Sequence, residues 1–317
     1  VRLAAVSVDL DEIPCYAAIH GLDVPAGSER ALYDHAVPRL GRLFAAHAVP
    51  ATFFAIGHDA LREPVADALR ALSARGHEIA SHSQAHDYDL TRRERSAIHA
   101  DVAASLETLE RAVGVRPRGF RAPGYTITND VLSVLRELGL AYDSSVFPCP
   151  AYYAPKATII GALRARAALG LGRASRSIVD DPRVLTAPGE PYFPGDREGA
   201  YWRRGPSEGL VELPIGVTPG LRLPFIGTSV VVAGERGAAM LARQMVGRPV
   251  VTLELHAMDL ADAHEDGLEW LSPYEPALSR TAAQKGRAIG AAIETLRAHG
   301  YRFVTSEEAA AAVATLA

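Results

Sequence analysis

The side chains in this sequence that could do chemistry come in closely spaced pairs. Asp9 and Asp11 flank Leu10, and His82 and His86 stand four apart in Ser81-His-Ser-Gln-Ala-His86. If the histidine segment is helical, that spacing puts both imidazoles on one face. Two neutral imidazoles and one carboxylate make a facial metal site with open positions for water. In a strand, Asp9 and Asp11 face the same side. Two carboxylates so placed repel unless a cation or a proton separates them. One could ligate a metal while the other works as a base. Each pair also has a plainer explanation: two surface histidines, and a strand-end turn in which Glu12 is a third solvated acid. His256, in Glu254-Leu-His-Ala-Met-Asp259, is a candidate proton donor or a core histidine. Arg121, before Ala-Pro-Gly, could orient a carboxylate or simply face solvent. No GxSxG elbow supports a serine nucleophile. Gly170-Leu-Gly172 lacks the strand–turn–helix context of a phosphate cradle.

These residues need elements to hold them. Short apolar runs at 3–8, 51–56, 78–81, 119–121, 249–255 and 302–304 read as strands. Helix-length segments alternate with them. A helix over 38–47 has Pro at its first position, where the missing N–H costs nothing. Gly76 ends another as a left-handed cap. Thr91-Arg-Arg-Glu94 predicts a capping box that opens a helix ending near Gly114. Thr128 caps a helix that stops at Gly139, a helix spans 282–298, and Thr305-Ser-Glu-Glu308 caps the last one. Strand–helix alternation with short links implies parallel strands joined by right-handed crossovers. Asp9, Asp11, His82, His86, Arg121, Tyr125 and His256 all follow strands, and α/β folds gather active sites at those ends. The expected fold is α/β: one distorted (β/α)7-type barrel domain over 1–317. Residues 144–236 form a loop-rich elaboration on it. Within that stretch, 181–228 carries eight Pro and eight Gly around one clear strand at 211–215.

Composition narrows the function classes. Of 317 residues, 48% are hydrophobic and 22% charged, which is ordinary for a globular chain. With 33 Lys and Arg against 37 Asp and Glu, the net charge is −4, which excludes a generally basic nucleic-acid binder. Cys15 and Cys149 form no CxxC, so neither a disulfide scaffold nor a thiolate zinc site is supported. No apolar run approaches the ~20 residues of a membrane-spanning helix. The opening residues read as a strand rather than a signal peptide. The expected location is cytoplasmic, with peripheral contact at the inner face of the membrane allowed.

Taken together and in order, the motifs resemble the polysaccharide deacetylase family (NodB homology, carbohydrate esterase family 4). Val8-Asp-Leu-Asp11 is similar to its first motif and Ala51-Thr-Phe-Phe-Ala-Ile-Gly57 to its second strand. Gly76-His-Glu-Ile-Ala-Ser-His-Ser-Gln-Ala-His86 resembles its histidine motif and is the most specific piece. Phe120-Arg-Ala-Pro-Gly-Tyr125 resembles the arginine–proline motif, and Leu253-Glu-Leu-His256 the last one. The resemblance covers 1–145 and 249–310 well and the middle poorly. It implies a divalent metal, usually zinc, with cobalt, nickel or iron as other candidates, held by Asp11, His82 and His86. It also implies Asp9 as general base and His256 as general acid. Arg121 would orient Asp9, and a backbone N–H near Tyr125 would help hold the oxyanion. Leu10 between the aspartates looks like the peptidoglycan-deacetylase and sugar-deformylase branches rather than the chitin branch. The family's acidic, Trp-containing motif that tunes the histidine has no clear counterpart here. Asp259 is the candidate substitute.

The reaction so implied is hydrolysis of an N-acetyl or N-formyl group on an amino sugar or glycoconjugate. Two other readings are a cyclic-amide hydrolase of the allantoinase-like branch and a catalytically silent glycan- or lipid-binding module. Between Asp143 and Asp180 there is no acid but five basic residues: Lys156, Arg164, Arg166, Arg173 and Arg176. Either this is a solvated basic face, or Arg164 and Arg166 belong to a lid meeting a phosphorylated or lipid-linked sugar. Tyr192, Tyr201 and Trp202 could stack on sugar rings or pack in the core.

Overall fold

The structure is a computed structural model and describes residues 2–170, 178, 181–195, 201–206 and 209–316. Eight strands build it: β1 (Arg2–Asp9), β2 (Ala51–Ala55), β3 (Glu78–Ser81), β4 (Gly119–Phe120), β5 (Tyr142–Asp143), β6 (Val211–Glu212), β7 (Val250–His256) and β8 (Tyr301–Val304). They lie in the order β6-β5-β4-β3-β2-β1-β7, and β8 pairs with β1 off that path. Every ladder is parallel. Parallel neighbours need crossovers, and the helices supply them. β1 is buried from Leu3 to Asp9. Its near-continuous apolar run is what a central parallel strand, covered on both faces, requires.

The sheet curls into the expected distorted barrel, with an eighth strand and an open seam. Between β6 and β7 the described residues form one parallel bridge, Ile226 with Glu254, and Thr252 Oγ1 donates to the Pro214 carbonyl. Gly216 makes the close approach possible there, because a Cβ would meet the Thr252 carbonyl oxygen at 2.3 Å. The stretch 144–236 is not one insertion. β6 takes a place in the sheet, and the Gly227–Gln244 helix packs on the Ala282–Ala298 helix. What lies outside the barrel is the Pro150–Ala168 helix and the turns that follow it. These cover a second apolar core that includes Tyr153, Val184, Ala187, Tyr201 and Leu210.

Local signals explain most helix ends. Gly76 (φ +85°) and Gly114 (φ +83°) take the left-handed conformation. Thr128 accepts from the Val131 N–H, and Thr281 with Gln284 forms a capping box. The box expected at Thr91–Glu94 is absent. Leu90–Arg92 is a single 3₁₀ turn, Arg93 is extended, and the helix Arg95–Val113 starts from Glu94 with no side-chain cap. The Arg93 guanidinium pairs with Asp87 and Asp89.

Candidate active site

β1 ends at Asp9, and its hydrogen-bonded register places Asp9 beside His256, the last residue of β7. Asp11 lies beyond the strand, yet both carboxylates face the same cavity, which His82, Tyr125 and His256 also line. Glu12 is not the solvated acid of the plainer explanation. It is buried and accepts the N–H groups of Ile13, Leu32 and Tyr33, all at 3.0 Å. Burial pushes its carboxyl up to about 7, against those bonds. Its role is to cap the Ile13–His20 helix and pin the chain behind Asp11.

The two histidines come together, but not on a helix. After β3 the chain turns sharply, with Ser83 and His86 in the left-handed region at φ +67° and +53°. The Asp101 carboxylate accepts the N–H groups of Gln84 and Ala85, and Ser83 Oγ accepts that of His86. Gly57 lets this loop dock, since a Cβ there would collide with the Gln84 side chain. The imidazole centroids end 4.8 Å apart.

Asp11 Oδ1 lies 3.2 Å from His82 Nε2 and 3.0 Å from His86 Nε2. His82 Nδ1 donates to the Arg121 carbonyl at 2.7 Å, which turns Nε2 toward Asp11. Asp11 Oδ1 and His86 Nε2 are buried without a hydrogen-bond partner. Such orphaned atoms are rare in folded chains. Burial by itself would raise the Asp11 carboxyl, but His86 and His82 hold it well below the usual carboxylate range. Burial would lower His86, yet Asp11 pushes it up to about 10, and Asp9 and Asp11 raise His82 in the same way. The pocket thus favours positive charge at the point where three ligand atoms converge. One carboxylate and two imidazoles fit a divalent cation of the zinc type.

Asp9 faces a different partner. Arg121 Nη1 donates to its Oδ1 at 2.6 Å, and Oδ2 is 3.9 Å from His82 Nε2. Arg121 is fully buried rather than at the surface. Its Nε reaches the Ser144 carbonyl at 2.8 Å, and its Nη2 reaches Ser144 Oγ and Ser7 Oγ at 2.7 and 3.0 Å. The Phe54 ring lies under its guanidinium at 4.1 Å. All three nitrogens of the fork are held, so Asp9 is held too.

On the opposite wall, His256 Nδ1 lies 2.9 Å from Glu254 Oε1. Nε2 lies 3.3 Å from Tyr125 Oη and 3.8 Å from Asp11 Oδ2. Burial would lower the imidazole, but Glu254 raises it well above its ordinary value. The Asp259 carboxylate engages the backbone of His256: its Oδ2 accepts the N–H at 2.8 Å. The residue that tunes His256 is therefore Glu254, which the sequence reading passed over. Strand alternation carried the signal, because positions 254 and 256 face one side.

Tyr125 sits at φ +58° after Gly124 (φ +65°), an uncommon conformation for an aromatic residue. Its own N–H donates to the Ala122 carbonyl at 3.2 Å, so that group is already engaged. What it offers the cavity is its hydroxyl. The cavity measures about 70 Å³ and is walled by Tyr16, Tyr88 and Tyr152. Among the described residues of the basic run, Lys156 lines it, donating Nζ to the Gly124 carbonyl at 3.1 Å. Arg164 is exposed on the Pro150–Ala168 helix and does not line the cavity. The Arg166 side chain, Arg173 and Arg176 lie outside the described residues. Tyr192 is a core residue, 1% exposed, its hydroxyl donating to the Tyr201 carbonyl. Tyr201 is buried as well, at 2%. Trp202 is half-buried with the Arg183 guanidinium 4.2 Å over its ring, so that face is occupied from within the chain. Neither Tyr192 nor Trp202 lines the cavity.

Comparison with known proteins agrees with this picture. The family model described as polysaccharide deacetylase matches residues 27–142, a segment holding His82, His86, Arg121 and Tyr125. A peptidoglycan deacetylase of Helicobacter pylori is 28% identical over 148 residues, 45% of this chain and 49% of that protein. A chitooligosaccharide deacetylase of Bradyrhizobium sp. is 38% identical over 96 residues, 30% of this chain and 42% of that protein. The chain thus matches less than half the length of these curated relatives. A solved structure from Mycobacterium smegmatis, assigned to the polysaccharide deacetylases, shares the fold with a TM-score of 0.57 and 20% identity. That match covers 99% of this chain and 91% of the other, and so extends to β1 and β7. In its motifs and over the matched segment 27–142 the chain is similar to the polysaccharide deacetylase family, and it shares the fold of the Mycobacterium smegmatis structure.

Proposed function

We propose that this chain is a metal-dependent hydrolase that removes an N-acetyl or N-formyl group from an amino sugar or glycoconjugate. The observation that carries this reading is the convergence of Asp11, His82 and His86 beside a separate Asp9–Arg121 pair and a His256–Glu254 pair. Asp11, His82 and His86 would hold a divalent cation, which would supply Lewis acidity at this point. The chain's own residues then divide the proton transfers. Asp9 has one oxygen tied to Arg121, which leaves the other to accept a proton from the attacking water. His256, kept protonated by Glu254, donates to the departing nitrogen, since an unprotonated amide nitrogen is a poor leaving group. The hydroxyl of Tyr125 borders the same space.

The cavity size bears on the substrate. A cavity of about 70 Å³ walled by Tyr16, Tyr88 and Tyr152 suits a small acyl group better than a sugar ring. The peptidoglycan and chitooligosaccharide relatives point to an amino-sugar substrate of this kind.

The test is release of acetate and formate from a panel of N-acetyl and N-formyl amino sugars and their oligomers. Protein stripped of metal and then reloaded with zinc, cobalt, nickel or iron(II) would be compared with the stripped protein. Release that requires metal and disappears in His86→Ala is expected. Protein that carries one metal per chain yet frees neither acid from any member of the panel would overturn the reading.

A further inference from the structure

A second cavity of about 220 Å³ lies between the turns around Glu190 and Thr218 and is lined by Arg204, Arg222 and Arg248. Arg248 precedes β7, whose far end carries His256. Seven strand residues at ~3.3 Å each put roughly 20 Å between the two places. This cavity is therefore no extension of the acyl pocket.

Its electrostatics are unusual for a chain of net charge −4. Among the described residues that line it there are three guanidinium groups and one carboxylate, Glu190. Each guanidinium is anchored through a single Nη1 donor to a backbone carbonyl: Arg204 to Pro191, Arg222 to Leu185 and Arg248 to Gly189. Arg248 is 9% exposed, and its Nε is buried with no hydrogen-bond partner. Glu190 Oε1 stays 3.9 Å from that nitrogen, too far to satisfy it. Burial and the neighbouring Arg222 both oppose the charge on Arg248, and Glu190 only partly offsets them.

The backbone is shaped to hold this arrangement. Arg222 takes a left-handed conformation at φ +50° in a turn where the Thr218 N–H donates to the Leu223 carbonyl and Thr218 Oγ1 accepts the Leu223 N–H. A non-glycine residue is kept there only when its surroundings over-determine it.

We infer that Arg204, Arg222 and Arg248 form a binding site for a small dianionic oxyanion, a phosphate or a sugar-phosphate monoester, separate from the acyl pocket. Three cations against one anion leave an excess of two positive charges, the charge of a phosphate monoester at neutral pH. Arginine forks donate paired hydrogen bonds to such oxygens, and an unpaired buried donor gains most from them. A volume of about 220 Å³ is large enough for a phosphate with part of a sugar.

Calorimetric titration of the full chain at fixed ionic strength tests this, with inorganic phosphate, a hexose 1-phosphate and acetate as probes. Saturable binding of one phosphate per chain is expected, with acetate much weaker. Tighter binding of the sugar phosphate than of inorganic phosphate would identify the larger ligand, and the reverse would identify the free ion. Arg222→Gln and Arg204→Gln, both at the rim, should each weaken binding about tenfold. Arg248→Lys should also weaken it, because a lysine keeps the charge and loses the fork. Melting curves without phosphate show whether each variant is folded. Absence of saturable binding, equal affinity for acetate, or unchanged affinity in folded Arg222→Gln would each overturn the inference. Amide hydrolysis on a neutral substrate should be the same in Arg222→Gln as in the parent, so failure here is distinct from failure of the proposed function.

Discussion

Asp9 and Asp11 have the same chemistry, and their neighbours give them different work. Asp11 faces two imidazoles, and Asp9 faces a guanidinium held through all three of its nitrogens. The expected consequence is a separation of effects. Asp9→Asn should keep its metal while kcat falls about 10²–10⁴-fold, the usual range for loss of a general base. Metal analysis alongside steady-state rates checks this, and loss of metal in Asp9→Asn would reverse the assignment. Glu254 carries a sharper expectation. Its carboxylate raises the pKa of His256, and a general acid works only while protonated. Glu254→Gln removes that charge, so the pKa should fall. The alkaline limb of the kcat profile should then move to lower pH, while the acidic limb stays in place. Profiles for parent and variant on one amide substrate decide it. An alkaline limb that does not move would remove Glu254 from the proton-transfer machinery.

At the scale of elements, the parallel barrel was legible because strand ends and helix ends follow local rules. Positions 3–8 read as a buried strand, and Gly76, Thr128 and Thr281 mark helix ends, through apolar runs, φ > 0 and hydroxyl caps. The seven residues from β1, β3, β4 and β7 that the motifs singled out do converge. Three features were not legible from the local pattern. Thr91 begins no helix: Leu90–Arg92 makes a single 3₁₀ turn and Arg93 is extended. His82 and His86 meet through a left-handed loop, which a spacing of four cannot distinguish from a helix. Tyr192 looks like a stacking platform and is core, since β6 pairs back onto it. The adjacent strands β5 and β6 hold another hidden feature. Asp143 and Glu212 stand opposite each other in register, both wholly buried. Burial, and for Glu212 the neighbouring acid, raise both carboxyls. A group with a raised folded pKa contributes stability that is complete below its unfolded pKa and is lost as pH rises through the folded one. Glu212→Gln should therefore flatten the decline in melting temperature toward alkaline pH relative to the parent. Parallel declines in the two proteins would show that the acids play no such part.

For the whole molecule, the metal-ligand set is a cross-link as well as a reagent. Asp11 follows β1, and His82 and His86 follow β3, so one ion would tie together two segments separated by some seventy residues and by β2. The unfolded chain offers no preformed site, so binding free energy adds directly to folding free energy. With free metal at about 1,000 times its dissociation constant the gain is ~4 kcal/mol. A chain of 317 residues unfolds with an entropy near ~0.7 kcal/mol/K, so that gain corresponds to about 6 °C in melting temperature. Removing metal with a chelator should lower the transition by about that amount, and adding zinc back should restore it. In His86→Ala the chelator should change little, because the cross-link is already broken, whereas in Asp9→Asn the full shift should survive. Calorimetric melts of the three proteins, each with and without chelator, make the comparison. An equal chelator shift in parent and His86→Ala would place the stabilising ion away from Asp11, His82 and His86, and the catalytic reading of those residues would fall with it.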